Sequence, residues 1–210
     1  GVGSLFGVVA SRPGWHGGLF PILFLVSALV SGGALLVLVS AIFQDGLRRN
    51  REVVLDLARL VLALLAVDVL LQISETLVGF YGNEPARVQN LRLIYAGPYW
   101  WVFWFWQLAL GTLVPILLLA SPWTRRNPLA AAVACVLIAI GFLAVRLNIV
   151  IPGLADEQVH GIVQAYNSAR ISTDYVPSVM EFTFTAGIIG IGLLLFGIGE
   201  WFLPRSSEEP

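Results

Sequence analysis

The sequence predicts an all-α, polytopic transmembrane helix bundle of about five membrane-spanning helices, and three observations predict it. Its 210 residues are 58% hydrophobic, with a mean hydropathy of +0.84. Only 12% are charged, about half the roughly 25% of an ordinary soluble domain, too little to clothe a water-facing surface. Finally, there are five apolar stretches that each supply the roughly 20 residues a helix needs to cross a hydrocarbon core about 30 Å thick.

These stretches are 17–43, 53–80, 95–120, 128–150 and 177–203. Proline punctuates them: Pro13 and Pro21 open the first, Pro122 and Pro128 flank the turn after the third, Pro152 follows the fourth and Pro177 opens the fifth, the places where a missing N–H costs least. Pro115 falls inside the third span and is expected to kink it. Trp100, Trp101, Trp104 and Trp106 crowd the first half of that span, as an interfacial belt or a ligand-facing wall would. Ser31-Gly32-Gly33 lies within the first span, where small residues let backbones approach. The apolar start, 1–10, reads as the tail of a further span, and the chain as a piece of a longer protein.

Arginines in short loops orient the bundle. Arg48, Arg49, Arg51, Arg125, Arg126 and Arg205 fall on one side, and Arg12, Arg87, Arg92 and Arg170 on the other, so the first group is expected in the cytoplasm. The loop 151–176, with Asp156, Glu157 and Asp174 against Arg170, suits the exterior.

Rare residues exclude whole chemistries. Cys135 is the one cysteine, so no disulfide framework exists and an iron–sulfur cluster, which wants four thiolates, cannot be ligated here. His16 and His160, the two histidines, lie outside the apolar runs, which argues against a haem buried between helices. All 12 basic residues are arginine, so a retinal Schiff base, which needs a lysine amine, is impossible. A net charge of -1 leaves no basic stripe for nucleic acid. No nucleotide loop, metal-ligand spacing or nucleophile motif emerges.

Ionisable groups inside apolar spans are the candidates for function, because burying one costs several kcal/mol unless it is paired or wet. The second span holds Asp56, Arg59, Asp68 and Glu75. Asp56 and Arg59, spaced i to i+3, read as a pair. Asp68, Gln72 and Glu75 fall within roughly 60° of one another on a helix turning about 100° per residue, a polar stripe that should face protein or water. Glu75, Arg146 and Glu181, from three helices, come to one level near the exterior end, with Asn148 nearby. Two carboxylates around one guanidinium form either a charge-compensated functional cluster or a static ion pair that fixes register. Asp68 and Gln107 lie near mid-membrane, about 10 Å below Glu75 at 1.5 Å per residue, and nothing obvious in the sequence neutralises Asp68. The stripe can be read as a proton path. His16 and Trp15, at the exterior start of the first span, read as interfacial hydrogen-bonding and packing residues or as part of a ligand site.

The run Leu5-Phe6-Gly7-Val8-Val9-Ala10-Ser11-Arg12-Pro13-Gly14-Trp15-His16, the segment from Phe20-Pro21 through Ser31-Gly32-Gly33, Arg146-Leu147-Asn148 before Pro152-Gly153, and Pro177-Ser178 with Glu181 and Gly187 together resemble the NrfD/PsrC family of polysulfide-reductase-type membrane subunits. That resemblance implies two successive four-helix bundles, of which this chain is the second plus an extra helix, in the cell membrane of a bacterium or archaeon. It implies a subunit that binds quinol or quinone, with menaquinone the expected form, holds no haem, and exchanges electrons with an iron–sulfur partner serving a molybdopterin or other catalytic subunit. Arg146, Asn148 and Glu181 match the family pattern position by position, whereas Asp68 and Glu75 rest on depth alone. Two other readings stand beside this one. A structural anchor would tether an exterior reductase without touching quinone. A transporter or channel should show matched breaks in inverted halves, and the single break at Pro115 argues against it.

Overall fold

A computed structural model describes residues 1–9, 14–42, 47, 51–82, 84–122, 126–155, 165 and 178–202. The expectations for Arg12, Pro13, Phe43, Arg48, Arg49, Arg125, Asp156, Glu157, His160, Arg170, Asp174, Pro177 and Arg205 lie outside the described residues. The chain forms two units, Gly1–Thr173 and Asp174–Pro210, each described by itself.

The first unit is a helical bundle: α1 (Val2–Val8), α2 (Phe20–Ile42), α3 (Arg51–Tyr81), α4 (Pro85–Ala96), α5 (Val102–Ala120) and α6 (Pro128–Ala155). The second unit holds α7 (Val179–Phe202). Four of these, α2, α5, α6 and α7, are long and apolar enough to cross a membrane. The fifth expected span, α3, has 31 residues, about 46 Å at 1.5 Å per residue, and carries Asp56, Arg59, Asp68 and Glu75.

Residues that touch across the bundle show how it is wound. Ser27 meets Asp68 and Gly33 meets Val61, so α2 and α3 run antiparallel. Gln107 meets Asn148 and Gly111 meets Gly141, so α5 and α6 do too. The core is built of small and β-branched side chains, among them Val30, Ala34, Val37, Val54, Val61, Ala134 and Ile138, with Cys135 buried among them. Helices in lipid gain little from hiding apolar surface and associate by close packing, which small residues permit. A Cβ on Gly33 would sit 2.9 Å from a Val61 methyl, and one on Gly111 would sit 2.5 Å from the Gly141 Cα. Gly32, by contrast, meets nothing within 4 Å among the described residues.

The structure corrects two boundaries. The expected span 95–120 is interrupted: Tyr95 and Ala96 finish α4, and the chain breaks at Gly97-Pro98 before α5 begins, because a proline disfavours helical geometry in the residue before it. α6 runs through Pro152 to Ala155 rather than stopping before the proline. Pro152 has no N–H for the carbonyl four residues back, and one turn earlier the indole of Trp15 donates to the Ile149 carbonyl at 2.8 Å. Pro115 sits where α5 changes pitch. Over Val102–Leu113 the helix is wound wide, with the Val114 N–H reaching the Ala109 carbonyl and the Thr112 hydroxyl the Gln107 carbonyl, both five residues back. It tightens to α geometry from Val114 onward, which puts Pro115 in the first turn of the tight segment.

The contact between Gly111 and Gly141 sets the distance between α5 and α6. Gly141→Leu should therefore destabilise the protein by about 1–3 kcal/mol, the usual cost of overpacking. Gly32→Leu should change stability by less than about 0.5 kcal/mol. Thermal unfolding of the detergent-solubilised protein distinguishes the two.

Candidate functional site

The bundle places polar side chains at the end where α2 and α5 begin and α3 and α6 finish. Asp68 is fully buried on α3, and a carboxylate there must fill its acceptor positions from protein groups. The Ser27 hydroxyl of α2 donates to Oδ1 at 2.7 Å and the Gln72 amide, one turn on, donates to Oδ2 at 2.5 Å. Because Gln72 turns its nitrogen to Asp68, its oxygen faces outward and accepts the Gln107 Nε2 of α5 at 2.9 Å. Gln107 in turn accepts the Asn148 Nδ2 of α6 at 2.7 Å. Ser27, Asp68, Gln107 and Asn148 are all buried. Four helices are thus tied by one chain of hydrogen bonds in which every amide donates toward the carboxylate.

Arg146, two residues before Asn148, lies over the Phe24 ring at 4.3 Å from its centroid, a cation–π contact. Its charge bears on Asp68, and its Nη1 is buried without a hydrogen-bond partner among the described residues.

Glu75 takes a different partner from the expected Arg146. It pairs with Arg87 of α4, twelve residues on, and both side chains are 16% exposed. The chain turns back after Tyr81, and Pro85 at the start of α4 sends that helix alongside α3. Residues 14–17, ahead of α2, close over this pair. The His16 carbonyl faces Arg87 Nη1 at 3.5 Å, a Cβ on Gly17 would meet a Glu75 oxygen at 3.2 Å, and one on Gly14 would meet the Asn90 amide at 2.6 Å. His16 itself is exposed. Trp15 clamps that segment to α6 through Ile149 and stands edge-on to Phe6.

Between these elements lies a cavity of about 220 Å³, walled by Gln72, Gln107 and Asn148 on one side and by Glu75, Arg87 and Asn90 on another, with Tyr95, Phe103 and aliphatic side chains completing it. It is somewhat smaller than a typical ligand pocket of roughly 300–1,000 Å³, a size for one ring system rather than a whole amphiphile. Asn90, 5% exposed, leaves its Nδ2 without a partner among the described residues, a donor whose burial is unexplained unless something accepts from it. The Tyr95 hydroxyl lies 2.8 Å from that of Thr76, which donates to the Gln72 carbonyl, so Tyr95 is the donor of that pair. Tyr95 is packed edge-on against Phe103. Sequence reasoning missed Asn90, Arg87 and Tyr95 as site residues because it left 84–94 without a helix. Pro85 at the head of a run to Ala96 that contains no glycine and no second proline was the available signal.

Glu181, the remaining expected site residue, has a local task in α7. Its carboxylate accepts the Ser178 N–H at 3.1 Å while its own N–H faces the Ser178 hydroxyl at 3.4 Å, a capping box that fills two unsatisfied groups at the helix start. Asp56 and Arg59 form the expected pair at 2.6 Å, with side chains 69% and 64% exposed. Trp100, Trp101 and Trp104 are exposed on the outside of the bundle, and Phe103 is the aromatic of that run that lines the cavity. Among the described residues no group of three or more His, Cys, Asp or Glu side chains could hold a metal ion.

A family model for the polysulphide reductase NrfD matches residues 1–156. The chain belongs to the NrfD family. Its relatives include a selenate reductase subunit of Mesobacillus selenatarsenatis, 35% identical over all of this chain and 49% of the relative. A putative dimethyl sulfoxide reductase membrane subunit of Halobacterium salinarum is 30% identical over 99% of this chain and 50% of that protein. The Hdr-like menaquinol oxidoreductase integral membrane subunit of Archaeoglobus fulgidus is 28% identical over 95% of this chain and 52% of that protein. This NrfD-family chain thus spans about half the length of the curated relatives it matches. The match takes in the whole cavity-bearing bundle.

The two ion pairs of α3 should differ sharply in worth. Arg87→Met leaves Glu75 uncompensated in the cavity wall and should cost about 3–5 kcal/mol, most of it recovered in the double variant with Glu75→Met. Arg59→Met should cost under about 1 kcal/mol. Unfolding midpoints of the purified variants measure both.

Proposed function

We propose that this chain is the quinol-binding part of the membrane subunit of a respiratory oxidoreductase in a bacterial or archaeal cell membrane. The cavity at the end of the bundle receives the head group of a quinol or quinone, and the carbon tail remains among the apolar helices and lipid. The observation that carries this reading is the Asn90 Nδ2, without a partner among the described residues and buried in the wall of a ring-sized cavity that also offers a carboxylate. A quinone carbonyl is an acceptor of the kind that donor lacks. Tyr95 and Phe103 supply aromatic faces against which a flat ring packs. The name of the Archaeoglobus relative, a menaquinol oxidoreductase subunit, favours menaquinol as the substrate class.

In the oxidative direction a quinol loses two electrons and two protons. The electrons leave for an iron–sulfur centre on a partner subunit, which passes them to a catalytic subunit such as a molybdopterin reductase. This chain's own work is to hold the head group and take the protons. Glu75, on the cavity wall beside Arg87, is the nearer carboxylate. Asp68 lies one hydrogen bond behind the wall through Gln72 and is the second proton station. Gln107 and Asn148 bind and orient, Trp15 fixes the link that covers the cavity, and Glu181 starts the last helix.

Two measurements test the reading on the intact complex. Menadione, a naphthoquinone without a tail, should raise the unfolding temperature of the native complex, by the equivalent of about 2.7 kcal/mol at a hundred times its Kd, and Asn90→Leu should abolish the shift. An unshifted native complex would instead mark the chain as a structural anchor. In proteoliposomes, Glu75→Gln should slow quinol turnover about a hundredfold, the lower range for loss of a general base. Turnover unchanged in both Glu75→Gln and Asp68→Asn removes the proton role.

A further inference from the structure

The geometry points to Gln72, Gln107 and Asn148 as a specificity switch through which the protonation of Asp68 decides whether the cavity prefers the reduced or the oxidised form of its ligand. The inference rests on the cavity being the quinone site.

The three amides are not free to orient independently. With Asp68 ionised, both carboxylate oxygens can only accept. Gln72 must then turn its nitrogen to Oδ2, which turns its oxygen to Gln107. Gln107 must present nitrogen to that oxygen, which turns its own oxygen to Asn148. Asn148 must present nitrogen to Gln107, which turns its carbonyl oxygen the other way. This is the arrangement observed, with contacts of 2.5, 2.9 and 2.7 Å along the chain. Asn148 also lines the cavity, so the end of the chain in the wall is an acceptor, suited to a quinol hydroxyl.

A proton on Oδ2 reverses each step. Asp68 becomes a donor to Gln72, the three amides each turn by half a rotation, and Asn148 gives its oxygen to Gln107 and its NH2 to the cavity. A donor suits a quinone carbonyl and meets a quinol hydroxyl less well. No electron moves and no covalent bond between heavy atoms changes, so the switch transmits a proton's presence without transmitting the proton. Asp68 ionised favours quinol bound, and Asp68 protonated favours quinone bound.

Asp68 is the carboxylate to which the amide chain is bonded, while Glu75 in the same wall is paired with Arg87 instead. From α6 its cation is Arg146, while Cys135 of the same helix lies in the apolar core. From α4, Arg87 is held by Glu75 and Tyr95 by Thr76, and Arg92 is exposed. From α2 and α5 the facing groups are Ser27 and Gln107, which carry no charge in either state. Ser27 is the alternative outlet, since its hydroxyl can accept a proton placed on Oδ1 instead. Ser27→Ala removes that outlet and should steepen the response.

The test is equilibrium binding to the native complex of two probes, 2-methyl-1,4-naphthoquinone and its anaerobically maintained diol, between about pH 5 and about pH 8, below the ionisation of phenolic hydroxyls. The ratio of the quinone Kd to the quinol Kd should rise about tenfold as pH rises across the titration, the worth of roughly one hydrogen bond changed from matched to mismatched. In Gln107→Met, which cuts the chain at its middle link, that ratio should become independent of pH. Gln72→Met cuts it one link nearer the carboxylate and serves if the first variant does not fold. A pH-dependent ratio that survives in the cut chain overturns the switch, as does a flat ratio in the native complex. If neither probe binds the native complex, the site reading itself fails and the switch with it.

Discussion

A single buried carboxylate organises this bundle. Asp68 lies far along a helix otherwise made to face lipid or apolar neighbours, and an ionised group there demands compensation several kcal/mol deep. The compensation comes from three directions: a hydroxyl on α2, an amide one turn along α3, and a further pair of amides on α5 and α6 reached through that first amide. Since these partners are spread over four helices, satisfying the carboxylate fixes how those helices are rotated and how deep each one stands. Apolar contacts between small residues bring the helices close, but they tolerate sliding by a residue or a turn. The directional bonds do not. Register in the bundle is therefore set at one end, by polar groups, while the opposite end is held by the Val, Ala and Ile packing around Cys135.

What could be read from the sequence follows the same division. The long helices were legible because transfer into hydrocarbon imposes a composition that shows in every window, and α2, α5, α6 and α7 answer to it. Depth was legible too: residues per helix multiplied by rise put Asp68 near Gln107, and the structure joins them through Gln72. Azimuth was not. Knowing that Glu75 and Arg146 share a level says nothing about whether they share a side, and Glu75 faces Arg87. The most informative region, 84–96, was the least legible, because a twelve-residue helix is too short for a span and its last residues run straight into the aromatic start of α5. With that helix unassigned, Arg87, Asn90 and Tyr95 had no place near the site.

The glycines that matter here are those where something other than lipid comes close. In the link before α2, Gly14 leaves room for the Asn90 amide and Gly17 for the Glu75 carboxylate. A side chain at either position would have to push a polar group back into the cavity. That link is consequently shaped by the site it covers, and Trp15 between the two glycines anchors it to the carbonyl of Ile149, one turn before Pro152.

Charge and hydrogen-bond polarity are kept apart in the cavity wall, and the separation has a physical reason. An unpaired charge facing a closed apolar space interacts strongly with any ligand charge, so it would favour one ionisation state of a head group and hold it. Glu75 and Arg87 cancel each other, and Asp68 is withdrawn behind Gln72. What remains in view is a set of amides with the hydroxyls of Tyr95 and Thr112, whose contributions are each on the order of 1 kcal/mol net. Interactions of that size discriminate between a hydroxyl and a carbonyl without trapping either. A site meant to release both the reduced and the oxidised form of the same ring requires that balance, and in this wall it is set by which end of each amide points inward.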